Sequence, residues 1–395
     1  MPPSTRRQLP VLIVGAGVAG LTLAQGLRLS SIAFRLFERH SQSYPFQGHR
    51  FRISNETHTA LSNLLSSPLQ TLLGRTAPEN PPFSPRYVDA TKLDFPIPTS
   101  VNPPSVPVDR AWFRMLTALD IGDAIEYGKD LESYELVQDY VRVKFVDGSI
   151  VYGQLLIGSD GVKSRVRMQL QPYRKLLDLD RWVLWGRTPI TEGLKEKILP
   201  DLLSWCMYLD AENNVQTVVE PMIWSRSARQ ESEGRLPDFS DYIYWVVCTA
   251  PFQYSDVLPR TAEEKKAFLE RAMETWHSAL KLLLRSAAHD MSACIPILSS
   301  KPDIEVSTAT SKRVLLIGDA AHPMSPMGGS GADTAIKDAA DLARTIAEEG
   351  ITDNSITGFQ IRMEARAKEK IEHSFRGGQK FWRGGEWTDY AEIDV

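Results

Sequence analysis

Gly15, Gly17 and Gly20 stand in the spacing G-x-G-x-x-G, and Glu38 follows 18 positions after the last of them. These residue types suit the binding of a dinucleotide. Glycines permit a tight turn and let the backbone come close to a pyrophosphate, and unpaired N–H groups at a helix start attract the anion. A carboxylate beyond the next strand can accept hydrogen bonds from a ribose. Two further acidic positions have comparable settings. Asp319 closes the apolar run Val314 to Ile317 and precedes a Gly/Pro-rich loop with five small residues from Gly328 to Ala332. Asp160 and Gly161 follow the apolar stretch "LLIG" at 155–158.

The elements that must position these residues are visible in the apolar pattern. Val11 to Val14 reads as a buried strand, Leu21 to Leu29 as a helix, and Ile32 to Phe37 as a second strand that ends in Glu38. Residues 11–27, preceded by Arg6 and Arg7, also fit the apolar core of a secretory signal peptide. That alternative has no use for Glu38 or for glycines at these intervals, so the nucleotide reading prevails. An acidic residue at 38 implies a free ribose hydroxyl, as in FAD or NAD. Downstream, a strand from Val314 to Ile317 leads through the loop into a helix near Ala332. The bland alternatives are Asp319 as a helix cap and Asp160–Gly161 as a turn. The first leaves the crowd of small residues at 328–332 unexplained.

The rest of the chain narrows the class. Its 395 residues carry a net charge of −4 with no basic blocks, which gives no reason to expect a nucleic-acid partner. Cys206, Cys248 and Cys294 lie far apart without a C-x-x-C pair, which is poor material for disulfides or a metal site and fits reduced core thiols in the cytoplasm. No apolar run reaches the ~20 residues of a membrane span, and the C-terminal 20 residues are polar and mixed in charge. Nine prolines between Pro78 and Pro107, interleaved with Phe83, Tyr87, Val88, Leu93, Phe95 and Ile97, read as short edge strands and ordered loop. Five of the nine tryptophans fall between Trp182 and Trp245 in segments of strand character, some of them core and some lining a roomy apolar pocket.

The segment 313–343, "RVLLIGDAAHPMSPMGGSGADTAIKDAADLA", resembles the Gly-Asp motif of single-component (class A) FAD-dependent aromatic monooxygenases, the para-hydroxybenzoate-hydroxylase-like family. The resemblance extends from Val11 to about Phe381. It implies that Asp319 takes the ribitol of FAD, that Pro326 lies beside the flavin, and that Gly331 and Ala332 cover its pyrimidine edge. "LLIGSDGVKSRVR" (155–167) is similar to the family's Asp-Gly motif and places Asp160 in FAD and nicotinamide binding. Arg110, in "VPVDRAWFRMLTAL", matches the arginine that opens a helix at the FAD, with Arg114 as a surface alternative. Arg50 or Arg52, in "GHRFRIS", becomes a contact to FAD or NADPH. Asp333 departs from the asparagine common in the family, so its charge must point away from the ring. His322, in "GDAAHP", is given a structural role beside the FAD.

The implied fold is α/β, a Rossmann-like, glutathione-reductase-like FAD lobe assembled from residues 1–75, 108–170 and 285–350. A substrate-binding sheet lobe (76–107 and 171–284) and a C-terminal helix and tail (351–395) complete it. The implied activity is hydroxylation or epoxidation of a hydrophobic aromatic or polycyclic small molecule in secondary metabolism, with FAD, NAD(P)H and dioxygen, through a flavin 4a-hydroperoxide. The absence of a second G-x-G-x-x-G fits NADPH docking transiently on the FAD lobe. Arg187, a charge inside the apolar strand "WVLWGRTPI", and Tyr208 in the next strand are candidates to stabilise and relay a proton from a substrate oxygen. The alternative puts Arg187 in solvent and Tyr208 in the core. Two other functions use the same scaffold. A flavin-dependent halogenase would show G-W-x-W-x-I-P, which "RWVLWGRTPI" lacks, and a non-catalytic FAD-binding protein would be expected to have lost motifs that are intact here.

Overall fold

The computed structural model describes residues 9–44, 49–81, 86–97, 105–304 and 312–395. Arg6, Arg7, Gly48 and Phe83 lie outside the described residues. The chain builds a five-stranded parallel sheet in the spatial order Val314–Leu316, Leu155–Gly158, Val11–Val14, Phe34–Glu38, Ile125–Tyr127. Val11 to Val14 is at the centre and at most 4% exposed, the burial on both faces that a parallel sheet requires. Each such aliphatic side chain contributes about 1.5–3 kcal/mol by leaving water. The segment 11–27 is therefore the middle of the core, as the nucleotide reading requires.

The helix Val18–Leu29 returns from the first strand and packs against the long helix Gly331–Glu349. A three-stranded antiparallel sheet, Leu131–Val137, Tyr140–Phe145 and Ile150–Gly153, covers the other side. A two-stranded ribbon pairs Arg50–Ser54 with Ser105–Asp109.

Above this lobe lies a seven-stranded roof. Its order is Ala293–Ser299, Leu176–Pro189, Tyr242–Thr249, Val215–Met222, Cys206–Asp210, Tyr87–Asp89, and Ala391–Ile393 adds to the strand Leu176–Pro189. Two boundaries differ from the sequence expectation. Residues 293–299, assigned to the FAD lobe, belong to the roof because they pair with 177–185, so the lobe resumes only at Val314. The polar tail ends in a roof strand. Its alternation is masked by charged residues, and its pairing depends on a partner more than 200 positions away.

Both faces of the roof are covered. Leu184, Tyr208, Trp245 and Val247 pack on the helices Ala262–Ala272 and Ser278–Arg285. On the other face, Trp185, Met222, Tyr242, Tyr244 and Val246 look toward the parallel-sheet lobe. The tryptophans divide accordingly, with Trp182 and Trp245 in the far core and Trp185 on the near face.

Candidate functional site

The carboxyl ends of the parallel strands gather the three motifs, at the edge where open α/β sheets bind ligands. Gly15 leaves the first strand with φ +105, and a Cβ there would stand 2.4 Å from the carbonyl oxygen of Ser159. A Cβ on Gly20 would meet the Gly15 carbonyl oxygen at 2.0 Å. These two glycines let the turn, the helix and the neighbouring strand end pack together. Gly17 is different, because a Cβ there has no neighbour nearer than 4.0 Å. It N-caps the helix Val18–Leu29 without a side-chain cap, and the first turn carries no acidic residue. The helix therefore opens onto free space with backbone donors at its start, the arrangement an anion needs.

Glu38, 6% exposed, holds this turn from the adjacent strand. Its Oε2 accepts from Ala16 N at 2.9 Å and its Oε1 from His40 N at 3.0 Å. Each carboxylate oxygen keeps capacity for a second donor, so a ribose can bind beside these contacts. Arg114 lies in the field of Glu38. Burial lowers its pKa, opposed by the Glu38 charge. The expectation of a surface Arg114 is thus corrected. It is one turn beyond Arg110 on the same helix face, a spacing that the sequence contains.

Ser159 binds the first motif to the second by donating from Oγ to the carbonyls of Val14 and Gly15, both at 2.9 Å. The Asp160 carboxylate accepts from Ser164 Oγ at 2.5 Å and Arg165 N at 2.8 Å, at the start of the helix Arg165–Leu170. Burial raises its pKa against these hydrogen bonds. Sequence reasoning missed Arg167. It is 1% exposed and donates to the carbonyls of Val162 (2.6 Å) and Ala320 (3.3 Å), joining the second motif to the third. Nothing in its local sequence, which also carries Lys163, Arg165 and Gln169, sets it apart from an ordinary surface cation.

In the third motif Asp319 is exposed at the start of a short 3-10 turn, and a Cβ on Gly331 would lie 4.0 Å from its Oδ1. Pro326 is exposed on the following turn, and Gly331 and Ala332 open the long helix, whose N-cap Ser330 makes no side-chain cap. Asp333 points away from this opening. Its Oδ1 accepts from Ser54 N at 2.7 Å and its Oδ2 lies 3.6 Å from Lys337 Nζ. His322 is fully buried and pairs with Asp338 at 2.5 Å, a structural bond.

Facing this edge, the near face of the roof carries a buried polar cluster. Arg187 Nε donates to His49 Nδ1 at 2.9 Å, its guanidinium carbon lies 4.1 Å from the Tyr242 ring centre, and its Nη2 is 3.6 Å from Asp109. Asp109 caps the helix Arg110–Ala118 and accepts from Tyr242 Oη at 2.7 Å. Burial and then the Arg187 and Arg110 charges push the His49 imidazole down to about 3, so it stays neutral and accepts. Arg50 and Arg52 both meet Glu220 of the roof, and Arg52 also donates to Ser105 and Asn80.

The paired role expected of Arg187 and Tyr208 is corrected. Arg187 lies in register with Tyr244 and Glu220 on the near face, whereas Tyr208 lies in register with Thr217, Val247 and Leu184 on the far face. Tyr208 is wholly buried beside the Cys206 thiol, and burial drives its pKa far above its usual value. One residue of register decides which face a strand side chain takes.

The residues present fit FAD. Gly17 leaves an uncluttered helix start, Glu38 ends one strand and Asp319 follows another on either side of the central pair Val11–Val14 and Leu155–Gly158, and the Ser159 and Arg167 contacts tie the three motifs together. Among the described residues no His/Cys/Asp/Glu group could hold a metal ion, and no helix is long and apolar enough to cross a membrane.

Comparison with known proteins agrees with this geometry. A family model described as an FAD binding domain matches residues 206–352. The dual O-methyltransferase/FAD-dependent monooxygenase CTB3 of Cercospora beticola is 30% identical over 97% of this chain, which covers 47% of that protein. The aurachin C monooxygenase/isomerase of Stigmatella aurantiaca is 26% identical over 96% of this chain and 91% of its own length. The chain thus spans about half the length of the CTB3-type relatives it matches. Among solved structures, Klebsiella pneumoniae HpxO complexed with FAD and uric acid superposes with a TM-score of 0.77 at 18% identity, covering 98% of this chain and 93% of that one. The fold of HpxO is shared over nearly its full length, and the chain is similar to FAD-dependent monooxygenases over almost all of its own length, with the FAD binding domain matched at residues 206–352.

Proposed function

We propose that this chain is an FAD- and NAD(P)H-dependent monooxygenase that places one oxygen atom of dioxygen on a hydrophobic aromatic or polycyclic small molecule of secondary metabolism. The observation that carries the reading is the convergence of Gly17, Glu38 and Asp319 on one sheet edge, opposite a roof face that holds a fixed arginine. FAD, when bound, supplies the activation of dioxygen.

The chain's own part is to bind, orient and exclude water. Gly15, Gly17, Gly20, Glu38, Arg110, Arg114 and Asp319 hold the cofactor, with Asp160 shaping the turn beside it. Pro326, Gly331 and Ala332 shape the wall next to the reacting ring, and Arg50 and Arg52 tie that wall to the roof through Glu220. The apolar near face, Trp185, Met222 and Val246, keeps water out of the space where the substrate sits. Arg187, locked by His49, Tyr242 and Asp109, holds an anionic substrate oxygen and orients the ring. NADPH docks on the same lobe.

The test is isotopic. FAD-loaded protein is incubated with NADPH, 18O-labelled dioxygen and a panel of polycyclic phenols, and products are read by mass. One labelled oxygen per product supports the reading. Quantitative conversion of NADPH into peroxide across the whole panel would overturn it.

A further inference from the structure

The last helix, Asp353–Trp382, lies beyond the residues matched by the family model, yet it touches the candidate cofactor turns at two separate places. The first is ionic. Asp338 is fully buried and accepts from Gly318 N at 3.3 Å and from His322 Nε2, so one carboxylate holds both ends of the turn that presents Asp319. Its compensating cation comes from the last helix. Arg366 Nη2 lies 3.2 Å from Asp338 Oδ1, while Nη1 binds Asp341 at 3.0 Å. Removing one partner of a buried ion pair leaves an uncompensated charge. Here the uncompensated carboxylate would turn away from its site, and that releases the turn.

The second contact is steric. A Cβ on Gly377 would stand 2.7 Å from the carbonyl oxygen of Met327, and one on Gly328 would stand 3.1 Å from His373 Cδ2. The helix backbone therefore presses directly on the turn Pro326–Gly328, which precedes the helix start at Gly331.

We infer that the last helix is a clamp on the cofactor site, and that Arg366 is a positioning residue for FAD acting through Asp338 on the Gly318–His322 turn. The inference rests on the FAD reading but concerns a residue that no cofactor atom need touch. Arg362 is the internal control. It binds Asp341 and Thr345 from the same helix but does not reach Asp338.

The experiment measures FAD affinity by flavin fluorescence, and backbone amide exchange at 318–322 in FAD-free protein, for the full chain and for Arg366→Met, Arg366→Lys and Arg362→Met. Arg366→Met should bind FAD at least tenfold more weakly and exchange faster at 318–322. Arg366→Lys should recover most of the affinity, and Arg362→Met should stay within twofold of the parent. If Arg366→Met does not fold, Arg366→Gln is read in its place. Parent-like affinity and exchange in the Arg366 variants would overturn the clamp, as would equal losses from Arg362→Met, which would mark general helix loosening. A parent chain that does not bind FAD would refute the cofactor reading, and amide exchange would still decide whether Arg366 holds the turn.

Discussion

Gly17 and Gly20 belong to one motif but should fail differently when changed to alanine. At Gly17 the backbone has φ −86 and ψ −167, ordinary extended values, and the new Cβ would meet nothing nearer than the Ser159 carbonyl oxygen at 4.0 Å. Alanine is a poorer N-cap than glycine, by about 0.5–1 kcal/mol. It also stiffens the unfolded chain, which returns about 0.4–1 kcal/mol. These terms nearly cancel, so Gly17→Ala should melt within about 3 °C of the parent, using the usual Tm shift of ~2–4 °C per kcal/mol. The methyl group would occupy the space open to the pyrophosphate. Loss of one charge-assisted hydrogen bond, ~1.5–3 kcal/mol, corresponds to roughly 10- to 100-fold weaker FAD. At Gly20 the Cβ would lie 2.0 Å from a backbone oxygen and 2.6 Å from Ser159 Oγ. Backbone cannot yield there, and overpacking costs about 1–3 kcal/mol or more. The assay pairs thermal melting of FAD-free protein with FAD titration. Gly17→Ala with full FAD affinity, or Gly20→Ala with parental stability, would refute the division of labour between these glycines.

Asp319→Ala should leave FAD-free stability within about 0.5 kcal/mol, because the side chain is exposed, and should weaken FAD at least tenfold in the same titration. Tyr208→Phe should keep product yield unchanged and alter stability by less than about 1 kcal/mol, since among the described residues its buried hydroxyl has no partner beyond the neighbouring Cys206 thiol; loss of product would return Tyr208 to the site. Arg187→Ala should retain FAD but turn NADPH use toward peroxide, measured as the ratio of peroxide to product. His49, lowered to about 3 in the fold, takes up its proton in the unfolded chain near 6.5. Between those values the unfolded state binds more protons, so stability falls with acidification by up to about 1.4 kcal/mol per pH unit. His49→Asn should flatten denaturant-derived stability between pH 6 and 4, and an unchanged slope would contradict the placement of His49.

The sequence made the local parts of the site readable because each is contiguous. Glycine spacing, the apolar run before it and a carboxylate ending the next strand all fall within residues 11–38, and physical constraints there act between near neighbours. What could not be read depends on distant pairing. Whether Tyr208 faces the flavin lobe or the far helices turns on strand register. Ala293–Ser299 joins the roof only through its ladder with Leu176–Pro189. The locking of Arg187 joins residues 49, 109 and 242, and no short window contains more than one of them. Arg167 and Asp338 look like ordinary helix charges until the fold buries them beside the turns they hold.

The most direct measurement is the relative affinity of the purified chain for FAD and FMN by equilibrium titration. In the proposed assignment Glu38 and the glycine turn hold the adenosine half of a dinucleotide, which FMN lacks. The predicted result is one FAD per chain, bound at least 100-fold more tightly than FMN, a difference of about 2.7 kcal/mol or more. Equal affinity for the two flavins, or no binding of FAD, would contradict the assignment of this sheet edge as an FAD site.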